Sequence, residues 1–74
     1  MKIYESGENY LETILMLEKR KGAVRSIDVA TELGFSKPSV SVAMKHFREN
    51  GYIVMDAEGY ITFTEAGKEI AARI

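Results

Sequence analysis

Only Gly34 and Phe35 separate two stretches that both read as helices, and this narrow gap limits what the chain can fold into. Upstream of it, Ser26 stands as an N-cap before Ile27 to Leu33, with Ile27, Ala30 and Leu33 spaced to share one buried face. Gly34 follows at the position where helices end in the left-handed conformation. Downstream, Ser36 is a second N-cap, because its hydroxyl can accept from the orphan N–H groups of a first turn. Pro38 falls in that turn, where a missing N–H is no loss, and Asn50-Gly51 marks the end. Two short helices joined by a tight glycine-containing turn form a helix-turn-helix, whose second member enters the DNA major groove.

That second helix, expected over about 36–50, carries two unlike faces. At about 100° per residue, Val40, Ala43, Met44 and Phe47 fall in one apolar stripe. Pro38, Val42, Lys45, His46 and Glu49 lie opposite. Val42 is therefore an apolar side chain directed away from the core, with Ser39 flanking it. A low, hydroxyl-bearing face suits the floor of the major groove, where Ser hydroxyls bond base edges and small apolar groups meet the thymine methyl. Taken alone, the face also reads as a solvated one bearing a single Val; the neighbouring elements favour the groove.

Residues 1–5 form a short lead-in, and Ser6 is read as the cap of a first helix over about 6–20. Glu8 complements its dipole, and Tyr10, Leu11, Ile14, Leu15 and Leu17 follow at helical spacing. Lys19, Arg20 and Lys21 read as its solvated end, and Gly22 stops it. Ala23-Val24-Arg25 is short and extended. After Gly51 the hydrophobic period changes from 3.6 to 2, giving a hairpin over about 52–63. Its strands are Tyr52 to Met55 and Tyr60 to Phe63, the latter with Ile61 and Phe63 facing inward, and Asp56 to Gly59 form the turn. Thr64 then caps a last helix, about 65–74, with Ala66, Ile70 and Ile74 on one side. Tyr10, Tyr52 and Tyr60 read as core or rim aromatics. The expected fold is mainly α with a small β-hairpin: a winged helix-turn-helix with a three-helix core, a two-stranded wing and a C-terminal helix.

Seventy-four residues make one small domain, residues 1–74, which buries only about 60% of its unfolded surface. The net charge of −1 provides no global basic field, so DNA binding must come from local placement of the ten Lys and Arg residues. No apolar run approaches the roughly 18 residues of a membrane span, and no signal-peptide core is visible, so no membrane partner is expected. The absence of cysteine removes disulfides and thiolate metal sites and fits a reducing, cytoplasmic setting. No nucleophile with a base, no paired carboxylates and no phosphate-cradling glycine loop is visible, so neither catalysis nor a small-molecule substrate is expected. His46, the one histidine, has no Cys, second His or carboxylate cluster beside it. The wing tip carries Asp56 and Glu58 and no Lys or Arg; carboxylates repel phosphate, so the wing is expected to add little affinity. The last helix reaches the final residue without a stop signal, the pattern of one domain within a longer chain.

The residues themselves then point to a family. Ser6-Gly7-Glu8-Asn9-Tyr10-Leu11-Glu12-Thr13-Ile14, Val24-Arg25-Ser26-Ile27-Asp28-Val29-Ala30, Ser36-Lys37-Pro38-Ser39-Val40-Ser41, Gly51-Tyr52-Ile53 and Thr62-Phe63-Thr64-Glu65-Ala66-Gly67 resemble the N-terminal domain of the iron- and manganese-dependent repressors, of the diphtheria-toxin-repressor and manganese-transport-regulator type. The likeness spans nearly the whole chain. Other winged-helix families share the Thr-x-x-Gly step after the wing; the Glu-Asn-Tyr-Leu-Glu segment together with Ser-x-Pro-Ser narrows it. The resemblance implies a homodimeric repressor that binds palindromic double-stranded operators when loaded with Mn²⁺ or Fe²⁺. It implies base contacts from Ser36, Pro38, Ser39 and Val42. Several relatives are polar at the Val42 position, so apolar contact is expected there instead of a hydrogen bond. Arg25 and Ser26 sit where relatives touch phosphate, and a positive side chain beside a helix N-terminus is a phosphate seat in its own right. Lys37, Lys45 and His46 complete the expected phosphate contacts. The first-helix metal ligands map to Asn9 and Glu12, three apart and able to face one ion, with Asn offering only a neutral carbonyl oxygen. The other ligands and the dimerisation region are expected beyond residue 74, so these residues alone are not expected to hold metal tightly. A metal-independent winged-helix regulator and a protein-docking winged-helix module remain the alternatives.

Overall fold

The computed structural model describes residues 5–73. The elements run α1 (Glu5–Lys21), β1 (Val24–Arg25), α2 (Ser26–Leu33), α3 (Lys37–Glu49), β2 (Ile53–Met55), β3 (Tyr60–Phe63) and α4 (Glu65–Arg73). The lead-in before Glu5 and the last expected helical residue, Ile74, lie outside the described residues. Because α1 includes Glu5, Ser6 lies within the helix and not at its cap. Leu11, Ile14 and Leu17 of α1 pack against Val29 of α2 and the Val40, Met44 and Phe47 stripe of α3, all essentially inaccessible. Val24 and Ile53 bring the strands into the same core. Tyr10 closes one end, with its ring edge-on to Phe35 at 5.6 Å and to Phe47 at 6.2 Å between centroids. Such T-shaped contacts satisfy the opposed charge of ring edge and ring face.

The turn between α2 and α3 forms as expected. Gly34 takes φ +70°, which a side chain would resist, and Gly34 and Phe35 both donate to the carbonyl of Ala30. Two expectations for α2 need correction. Its N-cap is Arg25, with extended backbone, and Ser26 is already helical. The Asp28 carboxylate explains this, because it accepts the Arg25 backbone N–H at 2.9 Å from the N3 position. Ile27 is also not in the core: it is 43% exposed, while Val29 is fully buried. At 100° per residue Val29, Ala30 and Leu33 cluster together, and Ile27 falls to one side of them.

The wing hairpin, β2 and β3, is part of a three-stranded antiparallel sheet of order β1-β3-β2 and not a two-stranded unit on its own. Val24 pairs with Ile61 and Arg25 with Tyr60; on the other side of β3, Ile53 pairs with Phe63 and Met55 with Ile61. Tyr52 precedes β2 instead of joining it, and its N–H donates to the Phe47 carbonyl at the end of α3. At the wing tip Asp56 Oδ1 accepts the backbone N–H groups of Glu58 and Tyr60, both at 2.9 Å. This is an Asx-type turn, so one of the two acidic tip residues is structural.

Thr64 caps α4 as expected, accepting the Gly67 N–H at 3.1 Å while donating to the Gly51 carbonyl at 2.6 Å. The packed face of α4 differs from expectation: Gly67 and Ala71 are buried, Ile70 is half-buried and Ala66 is exposed. Gly67 sets this rotation. A Cβ there would lie 1.8 Å from the Tyr52 carbonyl oxygen, so only glycine lets α4 lie against that backbone. The basic end of α1 is exposed, as expected, and two of its side chains also pair with α2. Arg20 pairs with Glu32 at 2.7 Å and Lys21 with Asp28 at 2.6 Å, both acids on α2. No helix among the described residues is long and apolar enough to cross a membrane.

Candidate nucleic-acid interface

The two faces of α3 separate cleanly. Val40, Met44 and Phe47 are buried, and Ala43 packs against the same core. Pro38, Ser39, Val42, Lys45, His46 and Glu49 are all exposed, with Val42 at 56%. The inner stripe costs too much to expose, so it fixes the rotation of the helix and thereby turns Ser39 and Val42 outward. Hydrogen bonding distinguishes the two serines. Ser36 Oγ accepts the Ser39 N–H at 3.3 Å and donates to Ser39 Oγ at 2.9 Å, so it is engaged by the cap. Ser39 keeps its own hydroxyl proton for an outside acceptor. Ser39 and Val42 thus present a hydroxyl and an apolar side chain side by side on the outward face of α3.

The basic groups are distributed around this face. Lys37 lies at the N-terminal end of α3 and Lys45 and His46 on its outward side, all exposed. Lys37 and Ser41 line a hollow of about 170 Å³ with Ser26 and Ile27, where the starts of α2 and α3 meet. Ser41 and Ile27 were not among the residues expected here; Ser41 follows Lys37 by one helical turn, which is the signal in the sequence that marks it. Arg25 sits at the N-cap of α2, beside the positive helix end. Its guanidinium carbon lies 5.4 Å from the centroid of the Tyr60 ring, the residue paired with it across the sheet. Asp28, one turn on, is held below the usual carboxylate range by the hydrogen bond from Lys21 and then by the Arg25 N–H. That carboxylate is thus committed to α1 and the cap.

Asn9 and Glu12 are exposed on α1, three residues apart. Glu12 borders a shallow hollow of about 320 Å³ shared by α1 and α4, with Leu15, Met16, Lys19 and Ala71. Among the described residues no group of three or more His, Cys, Asp or Glu side chains is arranged to hold a metal ion.

Residues 2–62 match the family described as iron dependent repressor, N-terminal DNA binding domain. The chain belongs to that family. It is similar to the HTH-type transcriptional regulator MntR of Bacillus velezensis and that of Bacillus subtilis, with 30% identity over 69 residues in each case. Those matches cover 93% of this chain and 49% of each relative. The chain therefore spans about half the length of the curated relatives it matches. Among solved structures it is similar to the crystal structure of T. acidophilum IdeR, with a TM-score of 0.84 and 25% identity, over 99% of this chain and 33% of that one. The family resemblance and the winged-helix architecture read from the sequence are both borne out. This iron-dependent-repressor domain departs from the expected architecture only in the third strand.

Proposed function

We propose that this chain is the operator-reading domain of a metal-responsive transcriptional repressor. It lays α3 in the major groove, as one half of a homodimer on a palindromic double-stranded site. The observation that carries the reading is the outward Ser39–Val42 surface on a helix whose opposite side is locked into the core. Ser39 offers a hydroxyl to a base edge and Val42 meets a thymine methyl, with Pro38 and Ser36 at the rim. Arg25, Ser26, Lys37, Lys45 and His46 set the register by holding phosphates. The role is recognition without catalysis, and a cytoplasmic one.

Asn9 and Glu12 would supply two oxygen donors to Mn²⁺ or Fe²⁺, ions that accept amide and carboxylate oxygens. Two donors do not make a site, so the described residues alone hold such an ion weakly. A bound cation supplies a positive charge that ties together the elements carrying its ligands. Asn9 brings no charge of its own, which favours a second reading: a regulator of the same fold that does not depend on metal. DNA affinity of the full-length protein measured with and without MnCl₂ separates the two, since only the metal-responsive reading expects a rise.

The test of the recognition role is fluorescence anisotropy against a panel of duplexes after selection of a preferred site. Ser39→Ala or Val42→Ala should alter preference at one base pair by about 1–3 kcal/mol. Arg25→Ala should weaken binding to all sequences alike. The opposite pattern would show that the roles are wrongly assigned. A salt titration excludes protein docking, because phosphate-driven binding weakens steeply with salt and an apolar protein interface does not.

A further inference from the structure

The wing of this protein carries carboxylates at its tip, yet it is built into the sheet next to the one basic residue at the N-terminus of α2. Three observations meet there. Arg25 and Tyr60 are direct partners across the antiparallel β1–β3 pair, so their side chains share one sheet face. The Arg25 guanidinium stands over the Tyr60 ring at 5.4 Å. It also runs alongside Gly59, where a Cβ would meet Arg25 Nε and Nη2 first, each at 3.8 Å. Arg25, Ser26 and Gly59 line an open hollow of about 260 Å³ between the start of α2 and the wing, with Ile27 and Met55.

We propose that Tyr60 is a positioning residue for DNA binding: its ring holds the Arg25 guanidinium at the α2 N-terminus, ready to meet a backbone phosphate. The wing then contributes to affinity through this platform and not through its tip. Arg is a long side chain with much rotamer freedom to lose on binding, and an aromatic face beneath it removes part of that freedom in advance. The bare backbone at Gly59 leaves the guanidinium edge open, and the planar group can rest on the ring while its N–H edge remains available to phosphate oxygens. The proposal rests on the DNA-binding reading above and deepens it.

The test is salt-dependent binding of the chain to a labelled mixed-sequence duplex at low ionic strength, with folding monitored by circular dichroism. Tyr60→Leu should weaken binding roughly two- to five-fold, the scale of an exposed cation–π contact. Tyr60→Phe, which keeps the ring, should restore it. In an Arg25→Ala background, Tyr60→Leu should have no further effect, and Arg25→Ala itself should flatten the log–log salt slope by about 0.9. A purely structural Tyr60 would weaken binding equally in both backgrounds, and that outcome overturns the proposal, as does full affinity in Tyr60→Leu. Should Tyr60→Leu not fold, Tyr60→Thr carries the same comparison on a strand-compatible side chain. Failure of the wild-type chain to bind duplex at all would instead overturn the DNA-binding reading.

Discussion

Gly67 shows how one side chain's absence can set the placement of a helix. In an exposed helix, replacing Gly by Ala stabilises by about 1 kcal/mol, because the backbone loses less entropy on folding. Here the added methyl would sit 1.8 Å from the Tyr52 carbonyl oxygen, which is backbone and cannot rotate away. Overpacking of this kind costs about 1–3 kcal/mol or more, so the steric term wins. The net cost of up to about 2 kcal/mol is expected to lower the melting temperature of Gly67→Ala by up to roughly 8–16 °C, given a shift of roughly 4–8 °C per kcal/mol in a domain of this size. A thermal melt followed by circular dichroism checks it, and a raised midpoint would mean that α4 does not rest on Tyr52. Legibility at this scale follows the reach of the physics. Val42 and Ser39 were readable as outward-facing because α3 has a full stripe, Val40, Met44 and Phe47, to set its phase. Gly67 and the exposed Ile27 were not, because each depends on a neighbour distant in sequence or on too short a helix.

Between elements, α1 and α2 are held by charge as well as by packing. Arg20–Glu32 and Lys21–Asp28 join the basic end of the first to the acidic side of the second. Exposed pairs contribute little individually, but Asp28 also accepts the Arg25 N–H and so serves the cap. Its carboxyl lies below the usual carboxylate range, first through the hydrogen bond from Lys21 and then through that N–H. A carboxyl with a lower pKa folded than unfolded stabilises the fold above its unfolded value, near 3.9, and loses that contribution as pH falls through the folded value. Asp28→Asn is accordingly expected to reduce stability at neutral pH and to flatten the acid limb of a pH–stability profile, measured by urea unfolding between about pH 2 and 7. An unchanged acid limb would place the carboxylate's charge outside the cap and the ion pair. Ser36 and Thr64 were readable as caps because capping is local, whereas α1 and α2 start earlier than Ser6 and Ser26 suggested. The extended backbone of β1 was readable too, but its pairing with β3 was not, since two residues carry no period and the pairing is a long-range event.

Over the whole molecule, a net charge of −1 means that affinity for nucleic acid depends on where the basic groups stand, not on how many there are. Arg20 and Lys21 are tied to α2, which leaves the exposed positive charge of Lys37, Lys45, Arg48 and Arg25 on and beside α3. Against that set stands the wing tip. Asp56 is a poor place to test it, because its carboxylate holds two backbone N–H groups and its loss would loosen the turn. Glu58 is exposed at the same tip, and Glu58→Lys moves the charge there by two units. In water, two units about 10 Å from a phosphate are worth roughly 0.8 kcal/mol before screening. Glu58→Lys is therefore expected to strengthen duplex binding about two- to four-fold at roughly 50 mM salt and to lose that gain near 0.5 M, where screening is nearly complete over that distance. An anisotropy titration at both salt concentrations checks this. If the low-salt gain is missing, the tip lies farther from the DNA backbone than a winged helix docked through α3 would place it.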